Sequence, residues 1–153
     1  MYSRTETAQL KKSFWTSFGQ YMKPVPSAEG ETINWINYKT GVKNIKFKMD
    51  ADTKFALIAI EIHHDDMFVR QLFFEQFEQL KSMLQNTLNE EWSWQKIWIN
   101  ENEKHISRIS TSIDGINVLN KDHWPTIISF LKQRIIALDE FWCNAKFAFE
   151  VLQ

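Results

Sequence analysis

Cysteine is nearly absent from this chain: Cys143 stands alone among 153 residues, so no internal disulfide can form and a packed core must hold the fold. A lone thiol fits a reducing compartment. The sequence also lacks any apolar run near the roughly 18 to 20 residues that cross a bilayer, and its first dozen residues contain no apolar stretch of signal-peptide type. A cytoplasmic chain without membrane contact is expected. Charge of one sign is missing too, because 18 Lys and Arg against 19 Asp and Glu leave a net charge of -1. No global field draws in nucleic acid, so any such binding needs a local patch. With only four Gly and three Pro, the one stretch rich in both is Pro24–Gly30, which reads as a loop inside a single domain of residues 1–153. GxSxG, P-loop, dinucleotide, HExxH and CxxC patterns are all absent, and no cofactor is implied. What the chain has in quantity is aromatic side chains, 14% of residues with seven Trp and twelve Phe, a composition suited to filling a large core.

Periodicity places the elements. Ser3 and Glu6 have capping-box spacing, and Leu10, Phe14, Phe18 and Met22 follow at helical intervals, predicting a first helix over residues 4–22. Alternation over 33–38, a Thr40-Gly41 turn and residues 44–49 predict a hairpin. A third strand follows over 53–62, apolar on both faces as in a strand covered from both sides. Asp65 or Asp66 caps a second helix through Val69, Phe73, Phe77 and Leu84 to about Leu88. Trp92, Trp94 and Trp98 then fall on one face of a strand paired with His105–Ile113, and Pro125 opens a long last helix with room for one break. The expected fold is α+β, a five-stranded antiparallel or mixed sheet with three helices in the order α-β-β-β-α-β-β-α. Secretion-chaperone-like folds share that order, a likeness of topology alone.

The densest polar cluster is Glu61-Ile-His63-His64-Asp65-Asp66. Glu61 and His63 share a strand face, so a carboxylate and an imidazole can address one divalent cation, with His64 and Asp66 as further weak candidates. Helix capping and the preference for Asp at a helix N-terminus explain the same residues without a metal, and that explanation is preferred. A restriction-type nuclease site needs an acid on one strand and acid-x-Lys on the next. Asp50 followed by Glu61 and His63 imitates the spacing with His in place of Lys. Four scattered histidines (63, 64, 105 and 123) and one cysteine argue against zinc, and Cys143 in its apolar stretch reads as a buried inert thiol. The candidate binding surface is Trp92, Trp94 and Trp98 with Lys96, His105 and Arg108, since aromatics interleaved with cations stack bases or pack peptides. A covering helix is the plainer account of the same rings.

Phe14-Trp-Thr-Ser-Phe-Gly19, Pro24–Gly30, Trp35-Ile-Asn-Tyr-Lys-Thr-Gly41, Phe73-Phe-Glu-Gln-Phe77, Trp124-Pro and Ile136-Ala-Leu-Asp-Glu-Phe-Trp142 together resemble an uncharacterised bacterial family, domain of unknown function 4268, over nearly the whole chain. The resemblance implies a domain that is sometimes attached to restriction-nuclease-like proteins, hence an accessory or recognition role near nucleic acid, and it carries over no catalytic residues. The sequence therefore supports a non-enzymatic binding or assembly module first and a divergent metal-dependent nuclease or nuclease-accessory domain second. A protein partner or a second copy of the chain is the natural binding partner of such a module.

Overall fold

The computed structural model describes residues 2–153. Helix α1 (Arg4–Met22) begins as the sequence predicts: the Ser3 hydroxyl accepts from the Glu6 N–H at 3.1 Å while the Glu6 carboxylate accepts from the Ser3 N–H at 3.2 Å. Strands β1 (Ile45–Ala51) and β2 (Phe55–Ile62) form an antiparallel hairpin. Helices α2 (Met67–Gln79) and α3 (Lys81–Leu88) follow, then strands β3 (Ser93–Ile99) and β4 (His105–Asp114). A short 3-10 turn at Lys121–His123 leads into helix α4 (Trp124–Glu150). The sheet order is β1-β2-β4-β3, with every neighbouring pair antiparallel.

Register decides which side chains the helices cover. Phe47, Ile60 and Ile109 lie opposite one another across the three strands, and with Ile45, Ile58, Ile62 and Ile113 they form the face that joins the core. Helix α4 spans about 40 Å at 1.5 Å per residue. It buries Ile135, Leu138, Trp142 and Phe149 against this face, with the Phe149 ring 4.3 Å from that of Phe77 of α2 and tilted 38° to it. Each such side chain contributes about 1.5–3 kcal/mol by leaving water, so the aromatic excess is spent here. The opposite sheet face carries Lys46, Lys48, Asp50, Leu57, Ala59, Glu61, Arg108, Ser110 and Ser112, none of which belongs to the core cluster. No helix among the described residues is long and apolar enough to cross a membrane.

The α+β class holds, but the expected count of five strands and three helices does not: the described residues form four strands and four α-helices. Residues 33–38 are not a strand. The Asn34 side chain accepts from the N–H groups of Ile36 and Asn37, each at 3.1 Å, turning the chain where alternation suggested extension. Trp35 goes into the core with its indole N–H on the Val25 carbonyl at 2.9 Å. The expected second helix is two helices, because Leu80 leaves helical geometry (φ -96°, ψ 10°) before α3 begins. Strand β2 is buried on both sides from Ile58 to Ile62, although only one side joins the main core cluster. Its other side presents Leu57, Ala59 and Glu61. Helix α4 runs unbroken, with Pro125 in its first turn.

Candidate functional site

The segment between α1 and β1 crosses 22 residues without a strand or helix, and it is bonded to α4 at several points. Asp139 lies 6% exposed on the buried side of α4. One of its oxygens accepts from the Ala28 N–H at 2.7 Å and the other from the Tyr38 hydroxyl at 2.5 Å, so a single carboxylate ties both ends of the segment to the helix. Tyr38 is held flat against Phe47, 5.2 Å between ring centroids, and Trp142 donates its indole N–H to the Thr40 carbonyl at 2.6 Å. Between segment and helix a pocket of about 470 Å³ remains open, in the range of small-molecule sites. Its walls include Glu29, Glu31, Tyr38, Asp139, Trp142 and Cys143.

The electrostatics of the pocket follow from Asp139. Burial first, and then the hydrogen bond and negative charge of Asp139, push the Tyr38 hydroxyl well above the ordinary tyrosine range. The Cys143 thiol is also pushed up, by burial and then by the charges of Asp139 and Glu29. Its S–H donates to the Glu140 carbonyl at 3.1 Å. Cys143 is thus a protonated, partly exposed thiol on a pocket wall, where the sequence predicted a fully buried one. Among the described residues no cation stands within salt-bridge distance of Asp139, and Lys146 instead approaches Glu29 at 3.5 Å. Sequence reasoning missed this site. The available signal was an acid set beside Leu138 in the apolar stripe of the last helix, a position where an unpaired charge needs a reason.

The polar cluster at the end of β2 divides in two. Glu61, only 4% exposed on the outer sheet face, meets His63 at 2.8 Å. Asp66 caps α2 by accepting from Phe68 and Val69, and His64 Nδ1 accepts from the Asp66 N–H at 3.0 Å. The backbone carbonyls of His64 and Asp65 accept from the buried Arg70 guanidinium. Asp50 pairs with Leu57, four positions from Glu61 along β2, or about 13 Å at strand rise. The register thus keeps Asp50 apart from Glu61 and His63. Among the described residues no three His, Cys, Asp or Glu side chains group closely enough to hold a metal ion.

The tryptophans also part company. A register shift between Gln95 and Trp98 inserts an extra residue in β3, so Trp94 pairs with Ile109 on the core face while Trp98 pairs with Ile106 on the outer face. Trp92 is buried, its indole N–H on Glu90 at 2.9 Å. Trp94 meets Phe74 edge-on at 5.8 Å. Trp98 alone of the three joins Arg108, whose guanidinium carbon sits 3.6 Å from its ring centroid, while Arg108 Nε donates to Gln95 at 3.2 Å. Burial lowers the Arg108 pKa, opposed by the charges of Glu61 and Glu101. Lys48 reaches Glu101 of the β3–β4 turn at 3.0 Å; burial disfavours its charge, yet Glu101, Glu61 and Asp50 together raise its pKa. Lys96 and His105 are exposed at this edge of the sheet.

No curated protein and no solved structure matches this chain. A family described as Domain of unknown function (DUF4268) matches residues 10–146, from within α1 to near the end of α4. Three of the segments on which the resemblance rests, 24–30, 35–41 and 136–142, contribute walls of the Asp139 pocket. The chain belongs to the DUF4268 family.

Proposed function

We propose that this domain is a non-catalytic binding module and that its ligand site is the pocket between residues 24–40 and α4. The observation that carries the reading is Asp139, a buried carboxylate with no cation within salt-bridge distance among the described residues, set in the wall of a pocket of about 470 Å³. A carboxylate serving only to tie down a loop would be packed around, since protein interiors leave few voids larger than a water molecule. Burying a charge costs several kcal/mol unless it is well compensated, which favours a ligand that completes its coordination. Binding is favoured over catalysis because the Cys143 thiol is held protonated and, among the described residues, no histidine lines the pocket to activate it or the Ser27 and Thr40 hydroxyls. The test is a fragment screen on the 15N-labelled chain. Hits that shift the Ala28, Asn37 and Cys143 amides support the reading. A screen whose hits all lie elsewhere rejects it.

A second reading rests on the stacked Trp98–Arg108 pair, with Lys46 and Lys48 on the same outer face: a local patch for single-stranded nucleic acid or a peptide. Quenching of tryptophan emission by oligonucleotide, lost in Arg108→Ala, supports it; emission unchanged at low salt refutes it. The nuclease reading through Asp50, Glu61 and His63 draws less support, because β-register separates the acids it requires. Magnesium- or manganese-dependent cleavage of DNA or RNA, abolished by Glu61→Gln, would restore it.

A further inference from the structure

The donors and acceptors of the pocket are not evenly shared. The Tyr38 proton is committed to Asp139 and the Cys143 proton to the Glu140 carbonyl, so both side chains are left with acceptor capacity alone. The Asp139 carboxylate offers about four lone-pair sites and uses two, on Ala28 and Tyr38. Three neighbouring polar groups of the lining therefore accept and cannot donate. The charges lean the same way. Glu29, Glu31 and Asp139 line the pocket against Lys39 and Lys146, and Lys146 lies 3.5 Å from Glu29. Lys39, Glu29 and Glu31 are exposed to solvent, which leaves Asp139 as the buried charge of the pocket. The rings of Tyr38 and Trp142 complete the walls. The lining also holds donors, in Ser27, Asn34 and Asn37, so the sign of the occupant is set by the buried Asp139 carboxylate and its two unused lone-pair sites.

Resting on the pocket reading above, we infer that the ligand is a small molecule carrying an ammonium or amidinium group, held by Asp139 with Tyr38 and Glu31 beside it. An ammonium brings three donors to the unused lone pairs of Asp139, Tyr38 and Cys143, and a positive charge to a carboxylate that has no cation within salt-bridge distance among the described residues. A carboxylate or phosphate would meet the buried Asp139 charge, with Lys39 exposed and Lys146 drawn toward Glu29.

Three probes of one shape separate the possibilities: benzylamine, benzyl alcohol and benzoate, titrated into the 15N-labelled full chain at neutral pH. Benzylamine is expected to shift the Ala28 and Cys143 amides with at least tenfold tighter affinity than benzyl alcohol, and benzoate to bind weakest. Asp139→Asn should bring benzylamine to the level of the alcohol. Because Asp139 also anchors the loop, Glu31→Gln serves as a second variant. It lies at the exposed rim and removes one charge without touching the anchor, and a two- to threefold loss of benzylamine affinity is expected. Benzyl alcohol or benzoate binding as well as the amine at these amides overturns the cationic class while leaving the pocket as a site. If no probe perturbs them, the cationic class fails, and the fragment screen then decides whether the pocket fails with it.

Discussion

Replacing Tyr38 with Phe removes one oxygen and tests the central contact of the site. The hydroxyl donates to a buried carboxylate at 2.5 Å, and hydrogen bonds to charged groups contribute about 1.5–3 kcal/mol. Ring packing against Phe47 is kept, so Tyr38→Phe should cost about 1.5–3 kcal/mol. For a domain of this size each kcal/mol moves the midpoint by about 2–4 °C, giving a fall of about 3–12 °C in thermal unfolding followed by circular dichroism. In an Asp139→Asn background the same change should cost under about 1 kcal/mol, because the charge that strengthens the bond is gone. The pH dependence gives an independent check. Folding raises the Tyr38 pKa, so the fold favours the protonated phenol. That contribution is complete below the unfolded value near 10 and is lost as pH rises above it. The wild type's advantage over Tyr38→Phe should therefore shrink above about pH 10 and be constant between pH 6 and 9. Equal stability of the two proteins at pH 7, or additive costs in the double variant, would refute the reasoning.

Asp66→Ala removes both acceptor contacts to the first turn of α2 and should destabilise the domain by about 0.5–2 kcal/mol in urea, with no change if the cap is only apparent. Arg108→Ala deletes the guanidinium stacked on Trp98 and should cost about 0.5–2 kcal/mol while altering tryptophan emission; unchanged emission would place Trp98 away from Arg108. Phe77→Ala should cost about 3–5 kcal/mol in the same assay, since the ring is fully buried against Phe149, Phe141 and Trp142, and a cost under 1 kcal/mol would contradict the packing.

Local chemistry was legible. The Ser3–Glu6 capping box, the Asp66 cap and Pro125 at the start of α4 are contests between neighbours in sequence, decided by side chains within four residues of the backbone groups they satisfy. Aromatic content announced a large core, and the helical spacing of Phe14, Phe18 and Met22 named its residues on α1. Where two local signals competed, the reading failed. At 33–38 alternation argued for a strand, but Asn34 bound the backbone two and three residues on, and no neighbouring strand offered a ladder. At 93–99 the spacing of the tryptophans was read with a period of two, and one bulge sent Trp98 to the opposite face from Trp94.

What the sequence determined by itself was the α+β class, most element positions, the caps and the absence of the common catalytic motifs. The pocket belongs to tertiary structure alone. Ala28 and Tyr38 meet Asp139 across 111 and 101 residues of chain, and no periodicity or spacing rule acts over that distance. Asp139 faces inward because α4 must bury Ile135, Leu138 and Trp142 against the sheet, and at 3.6 residues per turn that stripe carries the neighbouring acid in with it. Register made the matching decision on the sheet. It set Glu61 beside His63 and opposite Arg108 while holding Asp50 four residues away, because hydrogen-bonded strand partners are fixed by the whole ladder and not by any one residue's chemistry.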